Sequence, residues 1–417
     1  MSLSLILENR NYRWLVSASA VSNLGDGVSA LAFPWLASLI TRDPLLISLT
    51  AVAARLPWFL FTLPAGVWTD RIDRRSLMVR ADLFRMVVTL GVVVMVLAAP
   101  PPVGSPAMAI AALCAVAFLL GSAEVLRDNA AQTVLPAVVA REDLESANGQ
   151  MWSIETIAGH FIGPPLAGVL IALALPVPFG FDALTFALAA ALVWLMVVPV
   201  RVAPARRSFR VELVEGLRWI WAHVLIWRLA IMLGVINACF MASVTMLVLF
   251  SQDVLGLGSV GYGLLLTAGA FGGVTGGIVA PRLARWLGGT VSLRIALAAM
   301  AVSLALTGAA TAPWIVALAL FTESAAGMLW NVVTVSLRQR TIPDDLLGRV
   351  NSVYRFFGWG MMPLGALAGG ILVTWLEPGS GREAALRAPY FVGAAIIAIL
   401  GVIGILILRL PDRKQAT

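Results

Sequence analysis

Long apolar stretches, separated by short segments rich in charge, proline or glycine, make up most of the chain. Roughly 20 apolar residues in a helix cross the hydrocarbon core of a bilayer, so each such stretch predicts a transmembrane helix. The first half of the chain has six of them, at residues 12–40, 45–69, 77–99, 107–136, 144–173 and 177–198. The second half has six more, at residues 225–250, 260–283, 291–310, 312–337, 347–376 and 388–410.

Basic residues lie mainly in every second loop between these spans. The enriched loops carry Arg71, Arg74, Arg75, Arg141, Arg201, Arg206, Arg207, Arg210, Arg218, Arg282, Arg285, Arg338, Arg340 and Arg349. The opposite loops carry only Arg42, Arg382 and Arg387. Because basic loops stay on the cytoplasmic side, this asymmetry predicts that both termini are cytoplasmic.

The segment between the two halves, residues 200–223, has a different pattern. Its apolar residues recur at helical spacing from Phe209 to Val224, with arginine and glutamate between them. This pattern predicts a helix along the cytoplasmic interface, which serves either as a tether or as a regulatory or partner-binding helix. The predicted domains are therefore residues 1–199, this linker, and residues 224–417.

Two segments of the first half recur in the second half. Residues 66–74 align with residues 277–285, keeping the glycine and both arginines, and residues 142–148 align more weakly with residues 345–351. Such a parallel duplication is a transporter architecture. The predicted fold is therefore an all-α polytopic membrane protein with twelve transmembrane helices in two six-helix halves related by a parallel pseudo-repeat.

The composition supports a membrane protein and narrows the chemistry. Hydrophobic residues make up 60% of the 417 and charged residues 12%, and the mean hydropathy is +0.92, outside the range of soluble domains. The basic residues are scattered over loops, so no nucleic-acid partner is expected. The two cysteines lie in apolar runs, and no phosphate-binding Gly-x-x-x-x-Gly-Lys segment is present. We expect no metal and no cofactor. Transport is expected to be driven by a gradient, or the protein is a passive carrier.

Ionisable residues inside the apolar runs are candidates for function, because each is costly in a bilayer unless it faces a partner or water. The candidates for carrying a coupled proton are Asp26, Glu124, Glu155 and Glu323. Asp26 and Arg55 lie at nearly the same depth in neighbouring spans, which predicts an ion pair between them. Each of these residues has an alternative role, as a member of a structural ion pair or as a polar group that faces a cavity without coupling. The same alternative holds for His160 and Asp182.

The charged segment Gly66–Arg75 between spans two and three resembles the loop motif of the major facilitator superfamily, Gly-x-Leu-Ala-Asp-Arg-x-Gly-Arg-Arg, with Asp73 replacing the second glycine. The resemblance extends over essentially the whole chain. Together with residues 23–27 and Leu135-Pro136, this version of the motif is similar to the drug:proton antiporter branch that includes macrolide and siderophore exporters. The arginine that other drug exporters carry in the middle of span four has no counterpart at Phe118–Ala123.

Span five contains a second motif of that branch. Its glycines and prolines resemble Gly-x-x-x-Gly-Pro-x-x-Gly-Gly, with Ala167 in place of the penultimate glycine, and they are Gly159, Gly163, Pro164, Pro165 and Gly168. Glycines let another helix approach closely, and prolines remove backbone donors and bend a helix. These residues are therefore predicted to form a hinge, or a seal against leak.

The resemblance also implies a cytoplasmic gate. Its predicted residues are Gly66, Asp70, Arg71, Arg74, Arg75 and Asp128. Asp70 is expected at the beginning of span eleven near Leu347, where free backbone donors attract an anion, and one of the arginines is expected to reach Asp128. The alternative is a solvated loop whose charges only orient the chain.

These features predict a secondary active transporter that exports amphipathic or hydrophobic small molecules in exchange for protons by alternating access. A dedicated exporter of a siderophore, metabolite or lipid is one alternative. A receptor or assembly factor that does not transport is another. The sequence shows no nucleophile and base at a recognisable spacing, so an enzyme is not expected. The expected partners are a small-molecule substrate, protons and membrane lipid, and the protein is expected to be a monomer in a bacterial cytoplasmic membrane.

Overall fold

The structure is a computed structural model that describes the backbone of residues 4–198 and 209–408. Within these ranges it leaves out the side chains of residues 4, 62–71, 141, 209–213, 216, 344, 345, 347, 348, 352 and 407. Every regular element in the described ranges is a helix. This agrees with the all-α fold predicted from the hydrophobic pattern.

Twelve long helices correspond to the twelve predicted spans. In the first half they are α1 (Arg10–Ile40), α2 (Pro44–Arg71), α3 (Arg74–Ala98), α4 (Pro106–Val138), α5 (Leu144–Leu173) and α6 (Val177–Trp194). In the second half they are α7 (Val224–Asp253), α8 (Ser259–Leu287), α9 (Gly289–Ala309), α10 (Pro313–Thr341), α11 (Asp344–Ser380) and α12 (Arg382–Ile407). Two shorter α-helices, Ser4–Glu8 and Phe209–Ala222, precede α1 and α7, and a 3₁₀-helix, Arg141–Asp143, precedes α5.

Eleven of the described helices are long and apolar enough to cross a membrane. The remaining long helix, α1, has 31 residues, which is ample length. Asn23, Asp26 and several serines interrupt its apolar sequence and lower its mean hydropathy. This helix therefore departs from a purely apolar composition, and it carries Asp26, one of the charged groups described below.

The first compact unit comprises residues 1–204 together with residues 257–267. Within it α1 packs against α5 and α6, α2 packs against α4, and α3 packs against both α4 and α6. The hydroxyl group of Tyr12 in α1 is fully buried and donates a hydrogen bond of 2.8 Å to Gln150 in α5. Asp73 begins α3 by accepting a hydrogen bond of 2.8 Å from the backbone N–H of Ser76, which gives this residue a capping role.

Helix α5 changes its hydrogen-bonding pattern at the predicted hinge. Residues Thr156–Ile162 form a π-helix, and the α-helix resumes at Gly163. Pro164 and Pro165 lack the N–H groups that the α-helical pattern needs, and the N–H of Gly163 donates to the carbonyl of Ala158, five residues earlier. The prolines therefore explain the irregular backbone, while its role as a hinge remains a prediction.

The second compact unit comprises residues 205–256 and 268–417. Within it α7 packs against α11 and α12, and α9 packs against α10 and α12. The linker helix Phe209–Ala222 packs on α11, where Glu215 and Arg349 form an ion pair of 2.6 Å. The side chain of Ile220 is buried, whereas Trp221 is exposed. The amphipathic helix predicted from the sequence is thus present, with part of its apolar face covered by protein.

Two adjacent glycines in α8 give a controlled test of the contact between α8 and α10. A Cβ atom on Gly272 would lie 2.0 Å from the carbonyl oxygen of Phe321 in α10, whereas one on Gly273 would have nothing within 4 Å. We expect Gly272→Ala to lower the yield of folded protein and its melting temperature in detergent, because backbone cannot move aside cheaply. Gly273→Ala should match the unmodified protein. Equal behaviour of the two variants would contradict the close approach of α8 and α10.

Candidate functional site

Ionisable side chains from α1, α3, α4 and α6 come together inside the first unit. They are Asp26, Asp82, Arg85, Glu124, Arg127, Asp128 and Asp182, which we call the charge cluster. Five carboxyl groups and two guanidinium groups therefore share one region of a membrane-spanning helical unit. Charged groups at such a location are costly unless they serve as partners for one another or for a transported species.

Asp26 and Arg85 form the central ion pair of the charge cluster. The Arg85 Nη2 contacts Asp26 Oδ1, and the Arg85 Nη1 lies 3.4 Å from the Ser22 hydroxyl oxygen. The guanidinium carbon lies 4.0 Å from the centre of the Phe186 ring, a cation–π contact. The Arg85 side chain is 3% exposed and the Asp26 side chain 31% exposed. Asp26 is thus the accessible member of a pair whose cation is buried.

This arrangement corrects the predicted pair of Asp26 with Arg55. The prediction rested on similar depth in two neighbouring spans, and depth along a helix does not fix the direction in which a side chain points. Arg55 is exposed on α2, and its charge acts on Glu124 rather than forming an ion pair with Asp26. Arg85 takes the predicted place of Arg55.

Asp82 and Arg127 extend the cluster from α3 to α4. Asp82 is fully buried, with its Oδ1 atom 3.9 Å from Arg85 Nη1 and 3.6 Å from Arg127 Nε. Arg127 Nη1 in turn lies 3.5 Å from Asp128 Oδ1. Negative and positive charges therefore alternate in space, in the order Asp26, Arg85, Asp82, Arg127 and Asp128.

Sequence reasoning missed Asp82 and Arg85, because residues 77–99 were treated simply as an apolar span. The signal was present, since an aspartate and an arginine three residues apart lie on one face of a helix and can pair there. A charged pair at that spacing within a membrane span is a candidate for function, like the other intramembrane charges.

Asp182 joins α6 to α1. It is fully buried and accepts hydrogen bonds from the Ser29 hydroxyl of α1 and, at 3.4 Å, from the Thr185 hydroxyl. Gly25 makes this contact possible, because a Cβ atom there would lie 2.3 Å from the Asp182 carboxylate and 2.0 Å from the Thr185 hydroxyl oxygen. The charge of Asp26 acts on both Asp182 and Glu124. Asp26 therefore has carboxylate neighbours on α4 and α6.

The two remaining carboxylate candidates form no ion pair with the charge cluster among the described side chains. Glu155, like His160, is exposed on α5. Glu323 is buried in α10 of the second unit, 7% exposed, and forms no ion pair with a residue that the structure describes. Of the four proton-coupling candidates, Asp26 is the one in direct contact with a cation.

The glycines of the span-five motif lie at close helix contacts. A Cβ atom on Gly163 would be 2.6 Å from the backbone of Gly27 in α1, and one on Gly159 would be 3.3 Å from the carbonyl oxygen of Asn23. The carbonyl of Gly168 accepts a hydrogen bond of 2.8 Å from the Ser259 hydroxyl. The motif therefore holds α5 closely against α1 beside the charge cluster.

Only part of the predicted cytoplasmic gate lies among the described side chains. Arg74 donates a hydrogen bond of 3.0 Å to the Thr133 carbonyl of α4, and Arg75 contacts the Trp194 carbonyl of α6. The side chains of Gly66, Asp70, Arg71 and Leu347 lie outside the described part of the chain, so the contact of Asp70 with α11 remains a prediction. The described contacts tie the beginning of α3 to α4 and α6.

The described side chains contain no group of three or more histidine, cysteine or acidic residues placed to hold a metal ion. Long apolar helices in two units, with paired charges buried inside one of them, are the arrangement expected of a membrane transporter.

Comparison with known proteins identifies the family. Residues 4–416 match the major facilitator superfamily family described as "Transmembrane secretion effector". The chain belongs to this family of membrane transporters.

Individual relatives share the fold and length. The chain is 24% identical to the multidrug efflux pump Tap of Mycolicibacterium fortuitum, with 97% of each chain covered. It is also 24% identical to the enterobactin exporter EntS of Shigella boydii, covering 96% of this chain and 94% of the relative. A bacterial homologue of the iron transporter ferroportin, solved in an inward-facing state, superposes with a TM-score of 0.74 at 19% identity over 97% of this chain and 99% of that one.

Proposed function

We propose that this transporter exports amphipathic or hydrophobic small molecules in exchange for protons, and that it accepts cationic ones at Asp26. The observation that carries the proposal is the Asp26–Arg85 pair, in which a partly exposed carboxylate is held by a buried arginine. Both a proton and a cationic substrate neutralise Asp26 and compete with Arg85 for it. Competition for one carboxylate is a sufficient basis for antiport, because the protein then carries either species but not both.

The similarity to Tap supports export of varied compounds, and the similarity to EntS supports a second candidate, a dedicated exporter of a siderophore. The two differ in what the site must recognise. A multidrug exporter needs an accessible carboxylate and apolar surroundings, whereas an anionic siderophore needs a cation that is free to bind it. Arg85 is buried and engaged by Asp26, so this pair offers an accessible carboxylate rather than a free cation, which supports the first candidate.

The protein is proposed to lie in a bacterial cytoplasmic membrane with both termini on the cytoplasmic side, and the arginine-rich loops support this orientation. The gate residues, Asp70 foremost, are proposed to close the cytoplasmic side in alternation with the hinge region of α5. The protein is proposed to work as a monomer, with membrane lipid around it.

Transport in inside-out vesicles tests this proposal. With an acidic lumen imposed, we expect uptake of amphipathic cations such as ethidium and tetraphenylphosphonium, and we expect a protonophore to abolish it. Vesicles without the protein are the control. Uptake of a catecholate siderophore alone would favour the dedicated exporter. Absence of gradient-driven uptake for a chemically varied panel, at normal levels of folded protein, would contradict proton-coupled export.

A further inference from the structure

Asp82 occupies an unusual position between two arginines. It is fully buried, and both of its neighbouring guanidinium groups are within ion-pair distance, at 3.9 Å for Arg85 and 3.6 Å for Arg127. Yet neither carboxylate oxygen of Asp82 takes part in a hydrogen bond with the described part of the chain. A buried carboxylate normally accepts hydrogen bonds from its cation, because the desolvation cost is otherwise only partly offset.

The two arginines have matching unused donors. The Nε atom of Arg85 and the Nε and Nη2 atoms of Arg127 are buried and donate no hydrogen bond within the described residues. Arg85 directs its Nη2 atom to Asp26 and leaves Asp82 at 3.9 Å from Nη1. Arg85 therefore has two carboxylates within reach and makes close contact with one of them.

We propose that Asp82 is the alternative acceptor for Arg85, and that Arg85 moves from Asp26 to Asp82 when Asp26 is neutralised by a proton or by a cationic substrate. The shift needed is small, since an ion pair of 3.9 Å becomes a charge-assisted hydrogen bond of about 2.8 Å. Arg85 keeps an acceptor in both states, so its buried charge is never left without a partner. Asp82 is therefore a positioning residue, because it allows Arg85 to leave Asp26.

Thermal stability of purified variants tests the exchange without any transported compound. Removing Asp26 alone should have a modest effect, because Asp82 receives Arg85, and removing Asp82 alone should also be modest, because Asp26 keeps it. The variant Asp26→Asn with Asp82→Asn removes both acceptors. We expect its loss of melting temperature to exceed the sum of the two single losses by several degrees. Strictly additive losses would overturn the proposal.

A matched control separates Arg85 from Arg127. Asp128 forms its ion pair with Arg127 and not with Arg85, so Asp26→Asn combined with Asp128→Asn should depart from additivity much less than the pair at Asp26 and Asp82. If the double variant at Asp26 and Asp82 does not fold, adding Arg85→Gln should restore folded protein, because no unpaired guanidinium is then buried. Failure of this triple variant to recover would also overturn the proposal. Neither result depends on proton-coupled export, so the exchange and the proposed function can fail independently.

Discussion

Asp26→Asn is expected to abolish export driven by a pH gradient while leaving a folded protein. The amide cannot bind and release a proton, so competition between proton and substrate at this position is lost. Folding should survive because the Asp26 side chain is 31% exposed and Arg85 retains Asp82 within 3.9 Å. Uptake into inside-out vesicles at matched expression measures the transport defect, and size-exclusion chromatography in detergent measures the folded fraction.

Glu155→Gln is the matched control, since it makes the same change from carboxyl to amide at an exposed position of α5. Its gradient-driven uptake should be close to that of the unmodified protein. Full gradient-driven efflux by Asp26→Asn, with Glu155→Gln unaffected, would move the coupling role to Glu124 or Glu323. Loss of folded Asp26→Asn protein would instead identify the Asp26–Arg85 pair as purely structural.

Arg85→Gln should produce the largest loss of stability in the first unit. It removes the cation of Asp26 and one of the two cations beside the fully buried Asp82. Breaking a buried ion pair by removing one partner costs about 3–5 kcal/mol in free energy of unfolding, and we expect the lower end because Arg127 still faces Asp82. The melting temperature in detergent and the resistance to denaturant check this expectation.

Arg80→Gln, five residues earlier on the same helix, is the control, because Arg80 is exposed. It should leave stability nearly unchanged. A second substitution identifies the source of the defect: Asp82→Asn should recover more of the stability lost in Arg85→Gln than Asp26→Asn does, since Asp82 is the buried carboxylate. The reverse order would mean that Asp26 carries the main desolvation cost.

The span architecture could be predicted from the sequence because a bilayer imposes a strict one-dimensional rule. A segment that crosses it must satisfy its backbone internally and must be apolar over a set length, so hydrophobic runs translate directly into helices. The close helix contacts of Gly159 and Gly163 could also be predicted from the sequence. Glycine and proline cluster there, and the effect of each on the backbone is local. The π-helical turn of α5 ends at Ile162, directly before the residues Gly163-Pro164-Pro165.

The partners of the intramembrane charges depended on the tertiary structure. Depth along a helix can be counted in the sequence, and it predicted that Asp26 and Arg55 lie at nearly the same height. The direction of each side chain around its helix axis, and which helices pack together, are set by the packing of the whole unit. Packing brings Arg85 of α3 to Asp26 and leaves Arg55 exposed. The sequence by itself determined that charges are buried in the membrane, and only the fold decided which of them neutralise one another.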